Sequence, residues 1–336
     1  MVLDFLYSQI FVTPAIPTTP LPGQTLIITG SNTGLGLAAA THIACLKPAL
    51  LILAVRNQAK GNAARDTIYK DTGLSPEDVK IEVWDLDMSS FASVLAFSDR
   101  CANDLYRLDG VSLNAGITMA KLELMEGYES TIAVNVISTF LLAITLLPTL
   151  RKSAMKHNIT PRLSIVGSET HVWAPWKEST TPEGTKILEA MSAPGTKVSQ
   201  ARYMDSKLMQ ILVFRHLCSL FVAQQLPENA KVILNILNPG FCYSDLGRDS
   251  SPLVQTVMRY FLARTQEVGG RPIAAGLVAG LETDGKYMHD GVVAEGALSR
   301  YVKSEKGEEM GKRLWEELRE VFEQARPGVV GKLWEK

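Results

Sequence analysis

The sequence predicts an α/β protein: a single doubly wound, mainly parallel sheet of about seven strands flanked by helices, with an enlarged cap near the strand ends. Short runs of branched apolar residues recur at 25–29, 50–55, 79–83, 110–113, 163–166 and 232–237. Segments of helical length and period separate them, and that alternation requires right-handed crossovers between parallel strands covered on both faces. The chain has 336 residues, 46% of them hydrophobic, which suffices for one large core.

Taken in chain order, residues 1–22 form an apolar, proline-rich arm with Asp4 near its start and no basic n-region, so they do not read as a signal peptide. The arm is too short and interrupted to span a bilayer. It either packs on the domain surface or makes a peripheral membrane contact through Phe5, Leu6, Tyr7, Ile10 and Phe11. Residues 23–300 carry the strand–helix alternation of the catalytic domain. Within them, 132–147 has no charge but contains Asn135, Ser138, Thr139 and Thr145, as expected of a helix buried between a sheet and a neighbour. Two stretches break the rhythm: 169–202, long and polar with Trp173 and Trp176, and 243–265, expected as a substrate lid. Both follow strand carboxyl ends, where open α/β sheets bind ligands. In the tail, 301–336, residues 304–324 form an amphipathic helix that can dock Leu314, Leu318, Val321 and Phe322 on the core.

A formal net charge of −1 and no Lys/Arg run longer than two exclude nucleic acid as an expected partner, because phosphate binding needs a concentrated basic excess. Cys45, Cys101, Cys218 and Cys242 are far apart and include no CxxC pair. They read as reduced thiols of a cytoplasmic protein, with no metal site.

Directly after the first strand comes Thr29-Gly30-Ser31-Asn32-Thr33-Gly34-Leu35-Gly36. Glycines here let the backbone turn tightly and approach a pyrophosphate seated on the following helix N-terminus. The required context, strand before and helix after, is present. The second strand ends at Val55-Arg56, where a site for NAD would place an acid on the ribose 2′-hydroxyl. No acid is present, and a guanidinium suits a 2′-phosphate, so NADP(H) is favoured over NAD(H). The alternative is that Arg56 is only a surface residue. Asp87 and Asn114-Ala115-Gly116 follow the third and fourth strands and are placed to line the adenine and ribose side.

Hydride reduction of a carbonyl needs a proton donor on the oxygen, and a tyrosine serves if its pKa is lowered. Tyr203 and Lys207 stand four apart, on one face of a helix, and the ammonium would favour the tyrosinate. None of the other eight tyrosines has a lysine at that spacing. Ser168 ends the preceding strand and is a candidate to hold the substrate oxygen. Asn135 lies in the apolar helix, where an amide needs partners; a purely structural amide remains open. For His171 the ordinary reading is a satisfied polar residue.

Together these residues resemble the short-chain dehydrogenase/reductase superfamily over roughly residues 23–300. The carrying elements are Thr29, Gly30, Gly34 and Gly36 of a TGxxxGxG turn, Asp87, Asn114 to Gly116 of NAG, Asn135, Ser168, the YxxxK of Tyr203 and Lys207, and Pro239-Gly240. The resemblance implies a Rossmann-type fold, with Tyr203 as acid/base and Ser168 as orienter of the substrate oxygen. It assigns Lys207 to the ribose and the tyrosine pKa, and Asn135 to a proton-relay water. Cofactor contacts would also come from Asn32, Thr33, Leu35, Pro239, Gly240 and Ser244. Residues 238–246 and Gly285-Lys286-Tyr287 look most like the retinol dehydrogenase-like branch and its fungal relatives, which often act on lipophilic or secondary-metabolite carbonyls. Three departures stand out. Leu113 replaces the first Asn of NNAG, Gly167 the first Ser of Ser-Ser, and Ser168 and Tyr203 are 35 residues apart, more than twice the family's usual gap. The excess is expected to cap the pocket mouth.

The expected activity is a reversible carbonyl reductase or alcohol dehydrogenase on a fairly large apolar molecule, given Trp173, Trp176, Phe241, Tyr260 and Phe261 near the pocket. A non-redox elimination, isomerisation or cyclisation, and a non-catalytic NADP(H) sensor, are the alternatives. Homodimerisation through the helices bearing Asn135 and Tyr203 is left open, since the arm and the C-terminal helix are both able to cover that face.

Overall fold

A continuous apolar run gives a strand buried on both faces, and β1 (Thr25–Thr29) is buried along its whole length. The computed structural model describes residues 2–177, 182, 184–224, 227–243 and 262–334. A helix, α1 (Val2–Phe11), precedes β1 within the expected arm. After β1 come α2 (Gly34–Cys45), β2 (Leu50–Val55), α3 (Gln58–Thr72), β3 (Lys80–Asp85), α4 (Phe91–Asp104) and β4 (Gly110–Leu113). A small hairpin, β5 (Leu124–Met125) and β6 (Tyr128–Glu129), leads into α5 (Thr139–His157) and β7 (Arg162–Val166). Next follow α6 (Ile187–Ser192), α7 (Gln200–Gln224), β8 (Ile233–Asn238), α8 (Gln266–Val278), β9 (Lys286–His289), β10 (Val292–Val293) and α9 (Glu305–Ala325).

The sheet order is β10-β9-β8-β7-β4-β1-β2-β3. From β9 to β3 every pairing is parallel, which makes the expected seven. An eighth strand, β10, pairs antiparallel with β9. The reason is local: Asp290 and Gly291 both have positive φ, 53° and 83°, the two-residue hairpin turn that an Asp-Gly pair favours. Because β4 lies on the opposite side of β1 from β2, the winding reverses between β1 and β4, and the carboxyl ends of those strands open a crevice.

Alternate side chains of each strand face opposite layers. Leu26, Ile28, Leu51 and Leu53 pack with Ala39 and Ile43 of α2 and Ile273 and Leu277 of α8. Ile27, Ile52, Val111 and Leu163 face the other layer, built from α4, α5, α7 and α9. Ser130–His157 is long and apolar enough to cross a membrane, yet 94% of its most apolar window is buried inside the protein. It is not one regular helix: a π-helical turn, Ala133–Ser138, interrupts it around Asn135. Ser304 caps α9 by accepting from Gly307 N, and Leu314, Leu318, Val321 and Phe322 are buried. α9 packs along α7, so the chain itself covers part of that helix.

The 169–202 stretch is moored to this layer. Glu317 of α9 accepts from Ile187 and Leu188 N at 2.8 and 2.9 Å, and Ser192 Oγ accepts from Glu129 N at 2.9 Å. Trp176 is 5% exposed, with its indole N–H donated to Tyr301 Oη at 3.1 Å. It is therefore a core residue. Within 243–265, residues 244–261 lie outside the described residues, and with them Ser244, Tyr260 and Phe261. The described ends of that segment are pinned together: Tyr243 N donates to Arg264 O, and Arg264 N to Phe241 O, at 3.0 and 2.9 Å.

Candidate active site

Every candidate cofactor and catalytic residue that is described follows a strand carboxyl end or lies on a helix beside it. At the β1/β4 crevice, Thr29 is the hub. Its Oγ1 accepts from Asn114 N and Ala115 N, both at 2.9 Å. Asn114 Nδ2 in turn donates to Thr29 O at 2.8 Å and Gly30 O at 3.3 Å. This lacing holds the glycine turn against the NAG loop. Gly30 and Gly34 have φ of 65° and 61°, the left-handed region that side chains resist. At Gly36 a Cβ would lie 2.4 Å from Gly30 O and 2.5 Å from Asn114 Nδ2, so only glycine fits there.

The turn suits a pyrophosphate. The first N–H groups of a helix have no intrahelical acceptor, and Thr33, the N-cap of α2, makes no side-chain capping bond. Those donors, with the positive end of the helix dipole, remain directed at the crevice. Asn32 and Leu35 flank the turn, partly buried, and Thr33 is exposed. Arg56 is exposed directly after β2, on the sheet side where an adenosine would run. Asp87 follows β3 with one oxygen committed: Oδ1 accepts from Ser89 N and Oγ at 2.9 and 2.7 Å.

Around β7 the second group assembles. Lys207 is 4% exposed; its Nζ donates to Val166 O at 2.8 Å and to Gln210 Oε1 at 3.0 Å. Burial pushes its pKa down to about 7. Burial drives the Tyr203 phenol the other way, to about 12, and only its hydrogen bond with Ser168 opposes the rise. The expected lowering of the tyrosine pKa by the ammonium is therefore not present in this arrangement. Lys207 Nζ lies 5.6 Å from the centre of the Tyr203 ring and spends two of its donors elsewhere.

Asn135 is fully buried and three of the four hydrogen-bonding positions of its amide are filled. Oδ1 accepts from Ile117 N at 2.8 Å, and Nδ2 donates to Ile117 O at 2.9 Å and Ser206 Oγ at 3.0 Å. It fastens the loop after Gly116 to α7. Its main-chain carbonyl is taken by Gln210 Nε2 at 2.5 Å. Gln210, 1% exposed, thus bridges Lys207 and Asn135. Sequence reasoning missed it, although it stands three residues after Lys207 on the same helical face.

Asn238, at the end of β8, was also missed. Its Oδ1 accepts from Glu169 N and Gly240 N, both at 3.1 Å, and Nδ2 pairs with His289 Nδ1 at 2.9 Å. It ties together the loops after β7, β8 and β9 and sets Pro239-Gly240, where Gly240 has φ of 84°. His171 is buried with both ring nitrogens engaged: Nδ1 with Ser168 O at 2.8 Å, and Nε2 accepting from Ser299 N at 3.3 Å. Burial lowers its pKa to about 4, so it stays neutral at pH 7. Glu169 beside it is 8% exposed, and burial raises its carboxyl to about 7 against the pull of His289 and Arg264.

The family model described as short chain dehydrogenase matches residues 24–170. A short-chain dehydrogenase of Penicillium roqueforti, anuD, is 41% identical over 97% of this chain and 84% of its own length. The short chain dehydrogenase/reductase dmxR8 of a Cryptosporiopsis species is 37% identical over 98% and 99%. Among solved structures, an alcohol dehydrogenase from the archaeon Thermococcus sibiricus complexed with 5-hydroxy-NADP superposes with a TM-score of 0.53 at 18% identity, covering 79% of this chain and 95% of that one. That likeness concerns the fold. The identities above 30% across nearly the whole length, on a chain with this sheet order, make it a member of the short-chain dehydrogenase family and an oxidoreductase of that class.

Proposed function

We propose that the protein interconverts a carbonyl and a primary or secondary alcohol on a lipophilic small molecule, with NADP(H) in preference to NAD(H). The observation that carries this reading is the meeting of the Ser168 and Tyr203 hydroxyls at the end of β7, with Lys207 held one turn along α7. A phenol pushed up to about 12 is protonated at neutral pH, the state needed to donate to a carbonyl oxygen being reduced. Ser168 Oγ holds that oxygen toward the phenol. In its ammonium form Lys207 has three donors; two go to Val166 O and Gln210, which leaves one for a ribose hydroxyl. The N-terminus of α2 takes the pyrophosphate, Arg56 a 2′-phosphate, and Ala115, Gly116, Pro239 and Gly240 the walls beside the ribose and nicotinamide. When bound, the nicotinamide supplies or accepts the hydride. The lipophilic assignment rests on Trp173, 38% exposed, and Phe241 at the mouth.

The test is turnover of a panel of ketones and aldehydes, read as loss of reduced nicotinamide absorbance with NADPH and with NADH. Tyr203→Phe should lower kcat by roughly 10²–10⁴-fold, the range for a lost general acid, and Arg56→Asp should reverse the coenzyme preference. A wild type that prefers NADH refutes the Arg56 assignment. A Tyr203→Phe protein with undiminished turnover refutes the acid/base assignment.

A further inference from the structure

The N-terminal helix is fastened across the carboxyl edge of the sheet, over the ends of β7, β8 and β9. Arg264, 6% exposed, donates through Nη2 to Ser8 O at 2.7 Å and Val12 O at 2.9 Å. A cation there meets the carbonyls, and the negative dipole end, of α1. Its Nη1 pairs with Asp290 Oδ1 at 2.6 Å. Ser8 Oγ donates to Asp290 Oδ2 at 2.7 Å and lies 3.0 Å from His289 Nε2. Gln9, in the amide orientation that satisfies both its ends, accepts from Phe241 N and donates to Phe241 O, each at 3.1 Å, and donates to Leu262 O at 3.2 Å. The loop carrying Pro239-Gly240-Phe241 is therefore gripped by α1 through the Gln9 side chain on the main chain of Phe241.

One helical turn before this grip, Phe5 stands between a ring from the segment after β7 and a ring from the loop after β8. It meets Trp173 edge-on, with centroids 5.6 Å apart and planes at 89°, and Phe241 at 6.4 Å and 62°. Trp173 ends the short helical segment that starts right after Ser168. Phe241 follows Gly240. An aromatic that spans these two positions stands over the loops that follow β7 and β8, the first of which begins at Ser168.

We infer that α1 is a fixed wall of the substrate crevice and that Phe5 selects for substrates with a bulky apolar body, by stacking with Trp173 and Phe241 around it. The substrate part of this inference rests on the reading above, that the crevice takes a carbonyl compound. Phe5 and Gln9 stand four positions apart, so the selecting ring and the anchor lie on one face. Anchor and selector are thus parts of one device.

The test separates the two readings by measuring binding apart from turnover. Calorimetric titration of the full chain with 2-decalone, in the presence of NADP, should show affinity at least ten-fold weaker in Phe5→Ala and within three-fold of wild type in Phe5→Trp. Phe5→Ala binding 2-decalone as tightly as wild type overturns the inference, whether or not any ketone is reduced. Binding that depends on Phe5 with no consumption of NADPH upholds the inference and refutes the oxidoreductase assignment for this ligand class. Hydrogen exchange reports the anchor independently. In Gln9→Ala the Phe241 amide loses its acceptor and should exchange at least ten-fold faster; an unchanged rate means the grip is absent.

Discussion

Glu169 follows Ser168 directly, and its buried carboxyl makes a pH-dependent contribution to stability that one substitution isolates. Burial raises it from an ordinary 4.5 to about 7, with His289 and Arg264 pulling down and Asp290 pushing up. Between those two values the unfolded chain has released the proton and the folded protein has kept it. Folding then takes up a proton, and stability falls as the pH rises through that window. Below it the penalty vanishes, and above it the penalty is complete. At ~1.4 kcal/mol for each pH unit between the two pKa values, the full penalty is about 3 kcal/mol. Glu169→Gln removes the titration and nearly preserves the shape. Its stability relative to wild type should therefore rise by about 3 kcal/mol between roughly pH 4 and pH 8. With an unfolding entropy of ~2 cal/mol/K per residue, this corresponds to a relative gain in Tm of about 4 °C for a chain of this length. Thermal unfolding of both proteins across that range measures it, and constant offsets of the substitution, like the titrations of His171 and Lys207, cancel in the difference. A difference in Tm that stays flat with pH would refute the argument.

Two more outcomes follow from the site geometry. Gly36→Ala puts a Cβ 2.4 Å from Gly30 O and 2.5 Å from Asn114 Nδ2, closer than packing allows, so the turn must open. NADPH affinity by fluorescence titration should fall at least about ten-fold, ~1.4 kcal/mol, with an overpacking cost to stability of about 1–3 kcal/mol; unchanged affinity would mean the turn does not hold the cofactor. Gln210→Leu strips a donor from Asn135 O and an acceptor from Lys207 in a dry interior. At ~1–3 kcal/mol for each buried group left unpaired, denaturant unfolding should register a loss of roughly 2–4 kcal/mol, and a loss under ~0.5 kcal/mol would mean the bridge does not form.

What was legible in the sequence is what short-range periodicity and spacing encode. Runs at 25–29, 50–55 and 110–113 coincide with β1, β2 and β4, because a strand buried on both faces needs an unbroken apolar run. The glycine turn is legible for the same reason: strand, turn and helix are contiguous, and sterics dictate glycine at Gly36. Errors appear where a polar residue extends a strand. The third and last core strands run on to Asp85 and Asn238, whose side chains end the apolar pattern while the backbone continues the ladder. Asn238 is such a residue because it serves three loops at once. Asp290-Gly291 is a recognisable hairpin-turn pair, but the four- and two-residue strands it joins are too short to show an alternating pattern.

The candidate chemistry divides in the same way. Tyr203, Lys207 and Gln210 share one helix face, so a spacing rule that finds the first two extends by one step to the third. No such rule reaches α1. Ser8 and Asp290 are 282 residues apart in the chain, and Gln9 recognises the main chain of Phe241, which leaves no trace in side-chain pattern. Composition alone offered two fates for the arm, surface packing or membrane contact, because Phe5, Tyr7 and Phe11 are equally apolar. In the fold these residues differ by partner: Phe5 turns inward to Trp173 and Phe241, while Tyr7 and Phe11 are 63% and 72% exposed and meet each other at 5.6 Å with tilted planes. A buried arginine decides which side of the helix faces in. Arg264 must place its charge somewhere within a nearly dry site, and its two Nη groups reach Asp290 and the carbonyls at the end of α1. The residue that fixes this wall of the crevice is therefore a cation more than 250 positions from the helix it holds.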